Sequence, residues 1–156
     1  MKEQTKFYTA MYLRLSRDDS VKAEQGDYGT SKAESNSIGS QRELIRSFLN
    51  GQEDMELYDS YVDDGFSGSN FNRPEFKRMM EDIEAGRVNC VVVKDLSRFG
   101  RDYIETGRYL EKIFPVLGVR FIALTDHYDS LSADTGERQI VLPVKNIIND
   151  SYCRDI

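Results

Sequence analysis

The sequence predicts an α/β fold in three layers, a mostly parallel central sheet with helices on both faces. Three observations carry that prediction. Four short runs rich in β-branched and aromatic residues occur along the chain: Phe7 to Leu15, Leu57 to Val62, Val88 to Val93 and Val119 to Leu124. Between them, apolar residues recur every three or four positions. One run, VNCVVV at 88–93, is almost wholly apolar, which suits a strand covered on both faces. Strands alternating with helices in this order build a sheet through right-handed crossovers.

Each element has its own signal. Phe7 to Leu15 is the first strand. Residues 17–36 are polar, with Gly, Ser and Asp scattered through them and almost nothing apolar, and they read as a long, mobile surface loop. Ile38, Gln41, Leu44, Ile45, Phe48 and Leu49 follow helical spacing, with Ser35 or Ser37 as N-cap and Gly51 at the far end. After the second strand, Asn72 is placed to cap a helix with Pro74 in its first turn. That helix buries Phe76, Met79, Met80 and Ile83, and Gly86 ends it. Asp102 caps the next helix, whose apolar stripe is Tyr103, Gly107, Leu110, Phe114 and Leu117. It stops at Gly118, and Pro115 should bend or loosen its last turn. Ile140, Val141, Val144, Ile147, Ile148 and Tyr152 again follow helical spacing, interrupted early by Pro143. We expect two regions, a core domain over 1–136 and, from about residue 137, the start of a long amphipathic helix that docks on a partner or is cut from a longer chain.

Composition narrows the function. The chain has 156 residues, 39% hydrophobic and 31% charged, which suits one domain with one real core and excludes a wholly disordered chain. No apolar run approaches the ~20 residues of a membrane helix, and the N-terminus lacks the apolar region of a signal peptide, so no membrane and a cytoplasmic location are expected. Cys90 and Cys153 stand far apart and form no metal or disulfide pattern, and His127 is the sole histidine. A His-based metal site or a Ser-His-Asp triad is therefore not expected. The net charge of −6 argues, on its own, against nucleic acid. The charge is uneven, however. Residues 37–72 hold 2 Lys+Arg against 7 Asp+Glu, whereas residues 73–102 hold 7 against 6 and include Arg73, Arg98 and Arg101.

In an α/β sheet, ligands bind beyond the carboxyl ends of the strands. The first strand ends in Tyr12-Leu13-Arg14-Leu15-Ser16, and alternation puts Tyr12, Arg14 and Ser16 on one face. A hydroxyl there, beside an arginine, suits a nucleophile near an anion, but the motif taken alone more often marks a surface Ser with a snorkelling Arg. VNCVVV runs into Lys94-Asp95-Leu96-Ser97-Arg98-Phe99-Gly100-Arg101-Asp102, where a helical turn would let Arg98 and Arg101 converge. Guanidinium forks suit phosphate because they give two hydrogen bonds in a fixed plane. A Gly/Ser-rich loop, 63–72, delivers Arg73 to the start of a helix, and Asp63-Asp64 at its head is read as a solvated turn in preference to a Mg²⁺ site. Gln41 lies among apolar neighbours. Together, one serine and several arginines could surround a phosphodiester and stabilise the charge that attack builds on its oxygens. Asp, Glu or an arginine could assist Ser16 as base.

Four motifs also carry a resemblance. Y-L-R-L-S at 12–16, S-I-G-S-Q at 37–41, D-G-F-S-G at 64–68 with N-R-P at 72–74, and L-S-R-F-G-R-D at 96–102 resemble, in order and over nearly the whole chain, the catalytic domain of serine recombinases of the resolvase/invertase family. The loop at 17–36, and Ser97 where small resolvases typically have Asp, resemble the large branch, the integrases and transposases of mobile elements.

This resemblance implies a resolvase-like fold and attack by Ser16 on a DNA phosphodiester, giving a 5′-phosphoserine link and a free 3′-hydroxyl. Arg14, Arg73, Arg98 and Arg101 would stabilise the phosphate, Tyr12 and Gln41 would orient it, and Ser97 would stand at the site. It implies no cofactor and no metal. It implies double-stranded DNA attachment sites as partners, with a homodimer pairing into a tetramer, and action on chromosomal or mobile-element DNA in a prokaryotic cytoplasm. It makes the helix from residue 137 an oligomerisation helix that leads to separate DNA-binding domains. The competing readings are a non-catalytic, self-associating α/β module with solvated arginines, and a flavodoxin-like cofactor or phosphate binder. For the latter, Leu15-Ser16-Arg17-Asp18 is an unconvincing loop.

Overall fold

A computed structural model describes residues 6–15, 37–65, 72–100 and 102–131. The expected loop at 17–36 and the helix from residue 137 lie outside the described residues, as do Ser16 and Arg101.

The described residues form a five-stranded sheet with strand order β2-β1-β3-β4-β5. Its strands are β1 (Phe7–Leu15), β2 (Met55–Asp64), β3 (Cys90–Val93), β4 (Arg120–Ala123) and β5 (Tyr128–Asp129). The first four pair in parallel, and β5 pairs antiparallel with β4. The mostly parallel sheet of the sequence reading is therefore present. The short strand β5 was not anticipated, because two residues after a turn through His127 carry no periodic signal.

Helix α1 (Ile38–Asn50) covers one face of the sheet. Ile45 and Leu49 pack there with Met11, Leu13, Met55, Val92 and Ile122. Helix α2 (Pro74–Glu84), the single turn α3 (Leu96–Phe99) and the helical stretch from α4 (Tyr103–Arg108) to α5 (Phe114–Leu117) cover the other face. There Phe76, Met79, Ile83, Leu96, Phe99, Leu110 and Phe114 pack on Ala10, Tyr12, Val91, Val93 and Phe121. All four residues of β3 are buried, as a strand between two helical layers requires.

The helix ends follow from local chemistry. Ser37 Oγ accepts from Ser40 N at 3.1 Å, so Ser37 is the cap. Asp102 Oδ1 accepts from Ile104 N and Glu105 N. Helix α2 closes with Gly86 in the left-handed region (φ 78°), while Gly86 N and Arg87 N donate to Ile83 O and Asp82 O, a Schellman ending. Between α4 and α5 the chain widens into a π-helical turn, Tyr109–Ile113, with Phe114 N donating five residues back to Tyr109 O. Pro115 follows directly. It has no N–H, and its ring crowds the carbonyl four residues earlier, so the expected loosening takes this form.

One expectation is corrected. Asn72 does not cap α2. Arg73 occupies the N-cap position without a side-chain cap bond, and Asn72 Oδ1 accepts from Lys77 Nζ instead. The first turn of α2 is capped from another strand, by Asp63.

Candidate active site

The strand order places the site. Neighbours β2 and β3 leave β1 in opposite directions across the sheet, so the β1/β3 junction is a topological switch point, where crevices open beyond the strand ends. Pairing deepens it. The β1–β3 ladder ends at Met11↔Val92, while β1 continues beside β2 to Leu15↔Asp64. Residues 12–15 therefore overhang β3, and α3 turns in beside them.

Arg14 and Arg98 are interlocked there. Arg14 Nε donates to Arg98 O at 3.0 Å and Arg14 Nη2 to Ser97 O at 2.6 Å. In return, Arg98 Nη1 donates to Arg14 O at 3.3 Å. Gln41 reaches in from α1, its Nε2 donating to Arg14 O at 3.1 Å and its Oε1 accepting from Arg14 N at 3.4 Å. The turn α3 is held by two carboxylates. Asp95 Oδ1 accepts from Arg98 N and from Ser97 Oγ, and lies 3.8 Å from Arg98 Nε. Asp126 Oδ2 accepts from Leu96 N at 2.7 Å.

A second group adjoins the first. Arg73 Nη1 donates to Tyr12 Oη at 2.8 Å, and Tyr12 Oη donates to Asp63 Oδ2 at 2.9 Å. Asp63 also accepts from Glu75 N (3.1 Å) and Phe76 N (3.0 Å). Asp63 stands opposite Arg14 in the β1–β2 ladder. Burial pushes the Tyr12 phenol well above its ordinary value, with Arg73 opposing and Asp63 adding to the rise.

Arg14 and Arg73 are 0% exposed, Arg98 5% and Gln41 0%. Burying three guanidinium groups is costly unless each is hydrogen-bonded. The reading as a module with solvated arginines thus loses its premise. Of the expected site residues, Tyr12, Arg14, Gln41, Arg73, Ser97 and Arg98 gather in these two groups at the ends of β1 and β2. Ser97 enters through its carbonyl, while its hydroxyl turns to Asp95. Ser16 and Arg101 lie outside the described residues. Asp63, Asp95 and Asp126 were missed as site residues. Asp95 had a local signal, an Asp two and three residues ahead of its partners. Asp63 and Asp126 had none, since their partners are 12 to 51 residues away. Among the described residues no three His, Cys, Asp or Glu side chains cluster as a metal site would need.

The family model for the resolvase N-terminal domain matches residues 9–156. The chain belongs to that family. It is accordingly a serine-recombinase catalytic domain, of a family of site-specific DNA recombinases. Among solved structures it is similar to the N-terminal catalytic domain of TP901-1 integrase (23% identity, TM-score 0.70, 96% of this chain and 99% of that one). It is also similar to a resolvase-family site-specific recombinase from Streptococcus pneumoniae (23%, 0.64, 96% and 90%). A third is the C-terminal catalytic domain of ISC1926 TnpA, an IS607-like serine recombinase (16%, 0.56, 91% and 96%). At these identities the structures establish the shared fold. No curated protein sequence matches the chain. No helix among the described residues is long and apolar enough to cross a membrane.

Proposed function

We propose that this domain cleaves and rejoins DNA through Ser16 and belongs to the large, integrase- and transposase-like branch of the family. The observation that carries the proposal is the gathering of buried Arg14, Arg73 and Arg98 at the end of β1, directly before Ser16. Ser16 Oγ attacks the phosphorus of one phosphodiester. The bond to the 3′ oxygen breaks, leaving a 3′-hydroxyl and a 5′-phosphoserine link, and the proton of Ser16 ends on the leaving oxygen by way of a base or water. The reverse attack by a 3′-hydroxyl of the exchanged partner restores the diester. Bond energy is conserved in the serine ester, so no nucleotide donor is required.

Attack at phosphorus builds charge on the non-bridging oxygens, and fixed guanidinium groups stabilise that charge without reorganising. The carbonyls of Ser97 and Arg98 hold the Arg14 fork in the free domain, and phosphate oxygens take over some of those bonds when DNA is engaged. Arg101 joins from the residue beyond Gly100, and Gln41 holds the backbone of Arg14. The likeness to the TP901-1 integrase domain, the length of residues 17–36 and Ser97 in place of Asp all favour the large branch. Assembly as a dimer that pairs into a tetramer on two DNA sites follows on this reading, with the helix from residue 137 at the subunit interface and site recognition supplied by other domains.

The test is covalent trapping with the full-length recombinase on a nicked suicide duplex carrying its recombination site. Wild type should form a protein–DNA adduct and Ser16→Ala none. An adduct from Ser16→Ala would remove Ser16 as nucleophile. Arg98→Lys should cleave far more slowly, because a point charge cannot reproduce the fork, and near-normal cleavage would take Arg98 off the phosphate.

A further inference from the structure

The turn between β4 and β5 grips the junction at which β3 becomes α3. The bonding between β3 and β4 does not stop at Ala123. Leu124 N donates to Val93 O at 3.1 Å, and Thr125 N and Thr125 Oγ1 both donate to Lys94 O, at 2.8 and 3.1 Å. Residues 124 and 125 thus follow β3 out of the sheet, and this register delivers Asp126 to the start of α3. There Asp126 Oδ2 accepts from Leu96 N at 2.7 Å. His127, a non-glycine residue at φ 52°, then turns the chain back into β5.

That one bond fills a gap that α3 cannot fill for itself. A helix leaves its first N–H groups without internal partners. The N-cap side chain, Asp95, serves Arg98 N, because a cap reaches the second or third amide and not the first. The first amide is that of Leu96, a residue only 2% exposed, and its acceptor comes from Asp126, 30 residues away. With four residues, α3 has too few internal bonds to keep its own shape. Yet this turn sets both interlocked arginines. Ser97 O and Arg98 O hold the Arg14 fork, and Arg98 Nη1 returns to Arg14 O. A tilt of the turn would therefore move two guanidinium groups together.

Resting on the reading of Arg14 and Arg98 as phosphate-stabilising groups, we infer that Asp126 is a positioning residue for cleavage. It fixes the first amide of α3 and, through that turn, the places of both guanidinium groups. The role needs an acceptor oxygen at this point, which an asparagine also supplies. Asp126 itself is exposed, so shortening its side chain opens no cavity in the core.

The experiment uses Asp126→Ala and Asp126→Asn in the full-length recombinase, each checked for folding by thermal melting. Should Asp126→Ala not fold, Asp126→Ser takes its place, since it keeps a turn-favouring side chain too short to reach Leu96 N. Gly118→Ala, a strained change at the opposite end of β4, controls for loss of stability alone. Adduct formation is timed at saturating suicide duplex, at a temperature where every variant is folded, and DNA affinity is measured separately. The guanidinium NMR signals of Arg14 and Arg98 are recorded without DNA. A misplaced catalytic group costs up to roughly a hundredfold in rate. Asp126→Ala should slow adduct formation at least about tenfold on that scale, with unchanged DNA affinity and shifted Arg14 and Arg98 signals. Asp126→Asn and Gly118→Ala should keep both the rate and the signals close to wild type. Wild-type cleavage by Asp126→Ala, equal slowing by Asp126→Asn or by Gly118→Ala, or unmoved arginine signals would overturn the inference. If Arg98→Lys cleaves normally, the reading of Arg98 at the phosphate fails, yet the Arg14 and Arg98 signals still decide whether Asp126 sets those side chains.

Discussion

Phe99 offers the sharpest test of how the site is anchored. It is fully buried on the one-turn helix α3, next to Arg98, and its ring meets Phe121 at 5.1 Å, Phe76 at 5.6 Å, and Tyr109 and Phe114 at 5.8 Å. Those four partners come from β4, α2, the π-helical turn and α5. Phe99→Ala should cost about 3–5 kcal/mol, the range for emptying a buried phenylalanine site. Against a total stability of roughly 5–15 kcal/mol, the variant should still fold. Its melting temperature should fall by roughly 6–20 °C, at about 2–4 °C per kcal/mol for a domain of this size. Urea unfolding should show a lower midpoint at unchanged slope. The exposed Val116→Ala is the control and should stay within about 0.5 kcal/mol of wild type. Because α3 has only one turn, it cannot hold its own shape, so cleavage should also fall at temperatures where Phe99→Ala is folded. A loss under about 1.5 kcal/mol, half the lower end of the range for an emptied phenylalanine site, would refute the idea that this ring pins the arginine-bearing turn.

Three further outcomes follow from the geometry. Gln41→Leu should destabilise by about 1–3 kcal/mol in urea, since it removes a buried acceptor from the amide of Arg14 and one donor from its carbonyl. Gly118→Ala should lower stability by about 1–2 kcal/mol, because residue 118 sits at φ 70°, whereas Gly51→Ala at φ −86° should be neutral or raise it by up to about 1 kcal/mol. Calorimetry of the two variants side by side would check the contrast. Stability should also fall in alkali. Burial raises the Cys90 thiol and the Tyr128 phenol each to about 12, and the Tyr12 phenol too. Their protonated forms are favoured by the fold, so this stability is complete below the unfolded values of roughly 8.5 for Cys and 10 for Tyr, and is lost as pH rises towards 12. A melting temperature that holds or rises from pH 9 to 12 would contradict that burial.

How far the sequence could be read depended on the range of each interaction. Periodicity and punctuation are local, so β1, α1, α2 and α4 with Gly118 could be placed within a residue or two. The strand-to-helix junction at 94–102 revealed Arg98 because strand and cap signals abut there. Parity put Tyr12 and Arg14 on one face of β1. Their partners could not be read the same way. Arg14 binds the carbonyls of Ser97 and Arg98, and a carbonyl carries no sequence signature. Asn72 was the reasonable local cap for α2, but the register of β2 carries Asp63 to that helix first, and register is a tertiary fact. Leu57 to Val62 was too short a strand because Asp63 and Asp64 look like a turn. In the fold they continue the ladder as far as Leu15.

That extension changes what the charge of the chain means. A net charge of −6 weighs against a nucleic-acid ligand only if the charges act together from the surface. Here three clustered cations are inside. Arg14, Arg73 and Arg98 are almost wholly removed from solvent, and each donates to a carbonyl or a phenol oxygen, with the Asp95 carboxylate 3.8 Å from Arg98 Nε. Some of the acidic residues that make the chain anionic are the groups that make this burial tolerable: Asp63 behind Tyr12, and Asp95 beside Arg98. Removing such a partner leaves a buried charge uncompensated, which costs more than the pair contributes. Acidic composition and a cationic site are therefore two consequences of one construction. The long-range attraction that draws a protein onto DNA is a separate property that these buried groups do not supply.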